Sequence, residues 1–494
     1  MINLDGIKQY LDSPSDLSDR QILLGDGLTK MTLVYIEGLA SSSQMHFMLA
    51  DLIQFKPDGN SQFSILNSQL NETSSNKSNK PDNSQLKNTT SKKSQNSNSS
   101  IIDTLNTSVL AQSKVIVAES VEDAVTQLLL GCAVICLEEC EMALCVDLRE
   151  VQMRGVSESS DNIIKGAKDC FVESFRVNTA LLRAHYRSAD LSIKEIPIGK
   201  SVPTMVVLCY NRQHADLEVV AELEQKLHDF EKRGIFCSAD LEDHLTGHKN
   251  KLFPQMTYSE RPDKVSANIN EGKIAIIIDN LPYVYIVPTT FAMMMQAVED
   301  YSRNFIVASF TRLLRYSSFF IATILPALYI AIMLFHHEMI PRDLAISLIS
   351  SKEGVAFPTP FEVLFMLMAF EILVEAGLRM PKAVGPAVSI VGGLVVGQAA
   401  VSASFISSSV VVVVALTAIA GYTTPDQDLG NAIKIWRIVL AILAWITGLY
   451  GLILGLIVML AMMSRMEFGD ESFMKPFVNS GGTFLSKDTL IRNL

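Results

Sequence analysis

The chain has 494 residues, of which 19% are charged, with a net charge of −11 and a mean hydropathy of +0.27. That length exceeds one ordinary domain, and the hydropathy is high for a chain that lies wholly in water. The acidic balance, with no basic stripe interleaved with aromatics, leaves no footprint for a nucleic-acid partner.

The first twenty residues, MINLDGIKQYLDSPSDLSDR, are polar and lack a basic start followed by an apolar run, so they do not read as a signal peptide. MTLVYIEGLA then reads as a strand, and SSSQMHFMLADLIQF as a helix entered from a serine cap. Residues 67–100 contain 18 Ser or Asn in 34 positions. Such a segment buries too little apolar surface to offset its ordering entropy, so a disordered insert is expected there. Its Asn-X-Ser/Thr tracts are matches that this composition produces by chance.

Beyond the insert, VIVAES, VEDAVTQLLLG, AVICLEE and ALCVDLR read as strand, helix and two strands. Cys132, Cys136, Cys140 and Cys145 lie close together in this stretch, but their spacing is not that of a zinc knuckle. Small buried thiols on a strand hairpin account for them better. An odd cysteine count with no export signal suits a reducing compartment. CFVESFRVNTALLRAHYR, LSIKEIPIGK, TMVVLCYN, ADLEVVAELEQKLHDFEKR and SADLEDHL continue as helix, two strands and two helices. Asp240, His244 and His248 fall at i, i+4 and i+8, a spacing that could hold zinc, yet Gly247 interrupts the helix before His248 and a solvated face is the better reading. KIAIIID and LPYVYIVP are strands, and TTFAMMMQAVEDYSRNF is an amphipathic segment suited to a membrane interface.

From there the chain becomes apolar. Tyr316 to Phe335 is uncharged, with Arg312 and Arg315 flanking it and favouring a cytoplasmic N-terminal side. Ala383 to Pro425 carries no charge over 43 residues. A helix of that length would run about 65 Å, roughly twice a bilayer's hydrocarbon core, so two passes are expected with a break near Ser402 to Ser409. Ile438 to Met463 is a further uncharged run, longer than one pass needs and with Gly448, Gly451 and Gly455 as places to tilt or break. The expected fold is an α/β N-terminal region in two lobes separated by the insert, followed by a multi-pass helical membrane domain. Its segments are 1–66, the insert 67–100, 101–311, the helical domain 312–466 and a polar tail 467–494. Passes are expected near 316–335, 361–380, 384–402, 408–424 and 438–463.

The apolar stretch 361–380 carries Glu362, Glu371 and Glu375, and ionised groups in lipid cost several kcal/mol unless they face a bundle interior or water. Glu371, Glu375 and Arg379 fall at i, i+4 and i+8 on one face. One reading is a polar stripe along an ion pathway. The other is a helix-end pair of Glu375 with Arg379, with Glu371 buried against a polar neighbour. Val391, Leu394, Val395 and Val396, in the Gly-rich helix that follows, are the candidates for an apolar constriction of such a pathway. No phosphate loop, nucleophile elbow or metalloprotease helix is present, so neither enzyme activity nor a cofactor is expected.

Seven stretches occur in order: FPQMTYSERPDKV (253–265), EGKIAIIID (271–279), YIVPTTF (285–291), VEDYSRNF (298–305), EILVEAGLRMPK (371–382), GQAAVSA (397–403) and SRMEFGDESFMKPF (464–477). Together with GAKDCFVESFRVNTALLRAHYR, which holds Glu173, Asn178, Thr179 and Arg183, they resemble the A subunit of GerA-type spore germinant receptors. The chain departs from that pattern at the polar insert, at VSESSDNIIKG and in EFGDESFMKPF. Within the resembling motifs, Glu260, Arg261, Pro262, Asp263, Arg379 and Gln398 read as structural positions. The resemblance implies an inner-membrane protein of bacterial endospores with its N-terminal region on the core side. It implies a permease-like B subunit and a lipoprotein C subunit as partners, contact with membrane lipids, homo-oligomers, and a conduit that releases monovalent cations. The alternatives are the related protein encoded with spore dipicolinate-transport genes, a transporter subunit, or a non-conducting scaffold.

Overall fold

The computed structural model describes residues 2–23, 30–54, 115–137, 142–148, 168–230, 235, 238–247, 252–381, 393, 397–469, 471–478 and 489. The insert 67–100 therefore lies outside the described residues. The chain divides into an α/β unit (residues 1–162, 167–237 and 258–286) and a helical unit (163–166, 238–257 and 287–494).

The α/β unit holds two five-stranded sheets. In the first, β1 (Leu17–Leu23), β2 (Lys30–Ile36), β3 (Val115–Ala118), β4 (Cys132–Leu137) and β5 (Ala143–Asp147) lie in the order β1-β2-β4-β5-β3, every neighbouring pair antiparallel. Both faces are covered, because strand side chains alternate. Val34, Ile36 and Val134 share a core with α1 (Leu4–Leu11) and α3 (Val121–Leu129). Met31, Leu33 and Ile135 pack with Met45, Met48 and Leu52 of α2 (Ser42–Gln54). This sheet corrects the expected lobe boundary: β2 pairs with β4, so strands from either side of residues 67–100 belong to one sheet. The described residues on the two sides of the insert therefore share one lobe. Without that pairing, β2 would leave a row of backbone groups unpaired.

The second sheet has the order β6-β7-β9-β10-β8, from β6 (Leu191–Ile198), β7 (Thr204–Asn211), β8 (Thr257–Ser259), β9 (Ile274–Ile278) and β10 (Val284–Val287). It packs with α4 (Phe175–His185), α5 (Leu217–His228) and α7 (Pro262–Asn270). Arg183 of α4, fully buried, holds Asp16 of the first lobe through Nε and, at 2.8 Å, through NH2. The stretch Glu260 to Asp263 opens α7: Pro262 occupies its first turn, and Arg261 forks onto Asp263 at 3.0 and 2.5 Å.

The helical unit begins with α6 (Ser238–Thr246). The amphipathic segment expected at the interface is instead two single turns, α8 (Phe291–Met294) and α9 (Glu299–Ser302). Its apolar residues Phe291, Met294 and Met295 are buried in this unit's own core beside Phe319 and Tyr316, so they are not free to enter lipid. α10 (Phe305–Phe335) starts eleven residues before the expected first pass. α11 (Arg342–Ser350) is a short surface helix, followed by α12 (Thr359–Arg379) and α13 (Ser408–Gly421). The apolar run 438–463 is divided between α14 (Gln427–Thr447) and α15 (Leu449–Ser464). Gly448 makes that break at φ 66°, and a Cβ there would meet the Phe335 ring at 3.0 Å. By length and mean hydropathy (2.3 and 1.6), α10 and α14 are long and apolar enough to cross a membrane, and α13 and α15 are shorter apolar helices. Of the expected pass 384–402, only Gly393 and residues 397–402 are described, and those are helical.

Candidate functional site

In α12, Pro360 stands in the first turn, where its missing N–H costs nothing, and apolar residues fill most of the following turns. Phe361, Phe365, Met368 and Ile372 form an exposed apolar stripe, while Val363, Met366 and Leu367 face the core. Glu371 lies about 18 Å along the helix from Thr359, well inside its length. Its carboxylate is not alone. Lys434 Nζ stands 3.2 Å from Oε2 and Arg437 NH1 3.8 Å from Oε1. Lys434 and Arg437 are three residues apart on α14 and so share a face.

Arg437, 4% exposed, ties further helices to this pair. Pro326 lies inside α10 and has no N–H to give the carbonyl four residues earlier, which belongs to Ala322. Arg437 Nε donates to that carbonyl at 2.7 Å. Gly421 at the end of α13 leaves room for the guanidinium, since a Cβ there would stand 3.1 Å from NH2. One arginine thus joins a proline-vacated carbonyl on α10, a carboxylate on α12 and a small residue on α13.

Glu375 and Arg379 form an i,i+4 pair, with Arg379 Nε and NH2 donating to Glu375 Oε1 at 2.9 and 2.6 Å. Both side chains are open to the surface, 59% and 80% exposed. The remaining candidates are not brought to Glu371 by anything described. Val391, Leu394, Val395 and Val396 lie outside the described residues, and Gln398 is an exposed helical position. Glu260, Arg261, Pro262 and Asp263 stand in the α/β unit.

Sequence reasoning missed Lys434 and Arg437, because the uncharged run that marks the last pass begins only at Ile438. The missed signal was a pair of cations three residues apart just before an apolar run, in a chain whose other apolar helix carries a carboxylate. Arg312 and Arg315, expected to flank the first pass, lie on α10 ahead of its uncharged run, and both bind Asp300: Arg315 at 2.9 and 3.2 Å, Arg312 at 3.3 Å. Burial alone would raise the Asp300 carboxyl, but the hydrogen bond and charge of Arg315, the Ala297 N–H and the charge of Arg312 outweigh it and hold it below the ordinary carboxylate range.

Among the described residues, no three His, Cys, Asp or Glu side chains are grouped to hold a metal ion. Asp240 and His244 lie on α6, and His248 is outside the described residues. Cys132, Cys136 and Cys145 are buried thiols on the paired strands β4 and β5, and Cys140 is outside the described residues. Burial pushes Cys136 up to about 11, and burial with the neighbouring Cys132, Cys136 and Asp123 pushes Cys145 up to about 12, so both remain thiols at neutral pH.

Residues 5–494 match the family described as Bacillus/Clostridium GerA spore germination protein. The chain belongs to the GerA family. Spore germination protein KA of Bacillus subtilis (strain 168) is 32% identical over 99% of this chain and 84% of its own length. Spore germination protein B1 of the same organism is 30% identical over 99% of this chain and 94% of its own. An uncharacterised membrane protein, YfkQ of B. subtilis, is 32% identical over 99% of this chain and 88% of its own. The crystal structure of the N-terminal domain of the A subunit of the Bacillus megaterium germinant receptor GerK3 is similar over 58% of this chain and 94% of that one, with a TM-score of 0.40 and 24% identity. The GerA match spans both units, and it assigns the chain a role in spore germination.

Proposed function

We propose that this GerA-family chain is the A-type subunit of a nutrient germinant receptor in the inner membrane of a bacterial endospore. There it assembles with a permease-like B subunit and a lipoprotein C subunit, oligomerises, and forms or gates a conduit for monovalent cations. The observation that carries this reading is the match to germination proteins along residues 5–494, through the α/β unit and the apolar helices alike. The α/β unit faces the spore core, and α10, α12, α13, α14 and α15, with the segment 384–402, form the membrane bundle. The ion triad between α12 and α14 supports a gating role. Buried charges in lipid are retained where they line a path or set a switch, and Glu371 has two cations with which to exchange partners. Glu371 and Glu375 line the proposed path, and Val391, Leu394, Val395 and Val396 form its apolar constriction.

The test uses the chain with its cognate B and C subunits in spores lacking other receptors. Alanine at Val391, Leu394, Val395 or Val396 is expected to give cation leak without nutrient at whichever position faces the axis. Glu371→Gln combined with Lys434→Gln keeps the local charge balance, and it is expected to reduce nutrient-dependent cation release at normal protein level. Unchanged release from that double variant, with no leak from any of the four others, would sink the conduit reading.

A further inference from the structure

The second carboxylate of α12, Glu362, sits in the helix's first turn and is 1% exposed. Its two oxygens are served unequally. Oε2 accepts from the Ser407 N–H at 2.8 Å and from Ser407 Oγ at 2.7 Å, so it caps the start of α13. Oε1 is buried and has no hydrogen-bond partner. An orphaned buried acceptor keeps its desolvation penalty, and the penalty is larger for a charged one.

The hydroxyl protons of Ser407, Ser409 and Tyr329 run towards this carboxylate. Ser407 spends its proton on Glu362, and Ser409 Oγ donates to Ser407 Oγ at 3.2 Å. With that proton committed, Ser409 accepts from Tyr329 OH at 2.9 Å, while Ser351, whose Oγ stands 3.1 Å away, gives its own proton to the Leu348 carbonyl at 2.7 Å. Glu362 is the end of the chain of donors, so no hydroxyl in it can turn a proton to Oε1.

What does approach Oε1 is a cation on a tether. Lys352 Nζ donates to Thr359 Oγ1 and stands 3.6 Å from Glu362 Oε1, with 24% of its side chain exposed. An ammonium group has roughly the radius and charge of a potassium ion. It stands here between a hydroxyl oxygen, to which it donates, and a carboxylate oxygen 3.6 Å away.

We infer that Glu362 and Thr359 form a binding site for a monovalent cation of potassium size, in which the Lys352 ammonium is a tethered competitor for the ion. Lys352 lies in the link before α12, and its partial exposure gives it somewhere to withdraw. The site does not depend on the chain forming a conduit, and its test reads binding rather than release.

The first measurement is the thermal unfolding midpoint of the purified full-length chain in detergent, in potassium chloride and in choline chloride at matched ionic strength. Lys352→Met keeps the stem and removes the charge. It is expected to gain a saturable potassium-dependent rise of about 2–4 °C, and the added change Glu362→Gln is expected to abolish it. Lys352→Gln is the second variant if the methionine chain does not accumulate. The second measurement uses the unaltered chain: the reactivity of Lys352 towards an amine reagent should rise with potassium but not with choline, as the ion displaces the ammonium. No potassium-dependent shift in the Lys352 variants, a shift that persists with Glu362→Gln, or equal Lys352 reactivity in the two salts would overturn the site.

Discussion

Arg437 donates its Nε hydrogen to the Ala322 carbonyl at 2.7 Å, the carbonyl whose helical partner Pro326 removes. The same guanidinium reaches Glu371, so a kink residue on one helix and a carboxylate on another are both served by one side chain. Lysine carries no planar fork and cannot reproduce both contacts. Arg437→Lys is therefore expected to destabilise the helical unit by about 2–4 kcal/mol, in the range for breaking a buried charged contact. Pro326→Ala returns an N–H to the Ala322 carbonyl and should lessen the loss. Unfolding midpoints of the two single variants and the double check this, and strictly additive effects would mean that the two positions are not coupled.

Glu371→Gln alone leaves Arg437 buried with its counter-charge removed, a change expected to cost about 3 kcal/mol. Adding Lys434→Gln removes one of the two cations around that position and should recover part of the loss. Protein level and unfolding midpoint across this cycle measure the coupling, and a double variant no better than Glu371→Gln would show that Lys434 lends nothing to the pair.

Glu375 and Arg379 make shorter contacts than Glu371 does, yet both are largely exposed. An exposed i,i+4 pair contributes about 0.3–0.5 kcal/mol. Arg379→Ala should therefore change the unfolding midpoint of the isolated chain by less than a degree or so, as read by thermal melts in low and high salt. A drop of several degrees would show that the pair contributes more to the isolated chain than an exposed ion pair does.

Glu242 on α6 has its carboxyl pushed up from 4.5 to about 7, first by burial and then by Asp428, Asp243 and Asp426. Between those two values the folded chain still holds a proton that the unfolded chain has released. The unfolding free energy therefore falls as pH rises through that window. Melting midpoints of the helical unit should decline from about pH 4.5 to 7, and Glu242→Gln should flatten that decline. An unaltered profile in the variant would remove Glu242 as its source.

Gly448 joins α14 to α15 at φ 66° with the Phe335 ring against it. Gly448→Ala must place a Cβ in a left-handed conformation and within 3.0 Å of that ring, and is expected to cost about 1–3 kcal/mol. Phe335→Ala combined with Gly448→Ala removes the clash but not the backbone strain, so only part of the loss should return. Full recovery in calorimetry would assign the whole cost to the ring.

The sequence alone determined the elements whose period or composition is local. The strands MTLVYI, KIAIII and TMVVLCYN, the apolar helices and the order of the family motifs are legible because each depends on neighbours within a few residues. Glu371 was legible as a carboxylate that needs a partner, because the cost of charge in an apolar helix belongs to the residue itself. Only the tertiary structure decided who answers it. Lys434 and Arg437 lie more than sixty positions away on a helix that begins earlier than its uncharged run, and pairing across that separation leaves no periodic trace. The same holds for the joining of β2 to β4 across the Ser/Asn-rich insert, for Asp300 gathering Arg312 and Arg315, and for Ser407 seated on Glu362. In each case the local sequence set a group's need for a partner, and long-range packing chose which group would meet it.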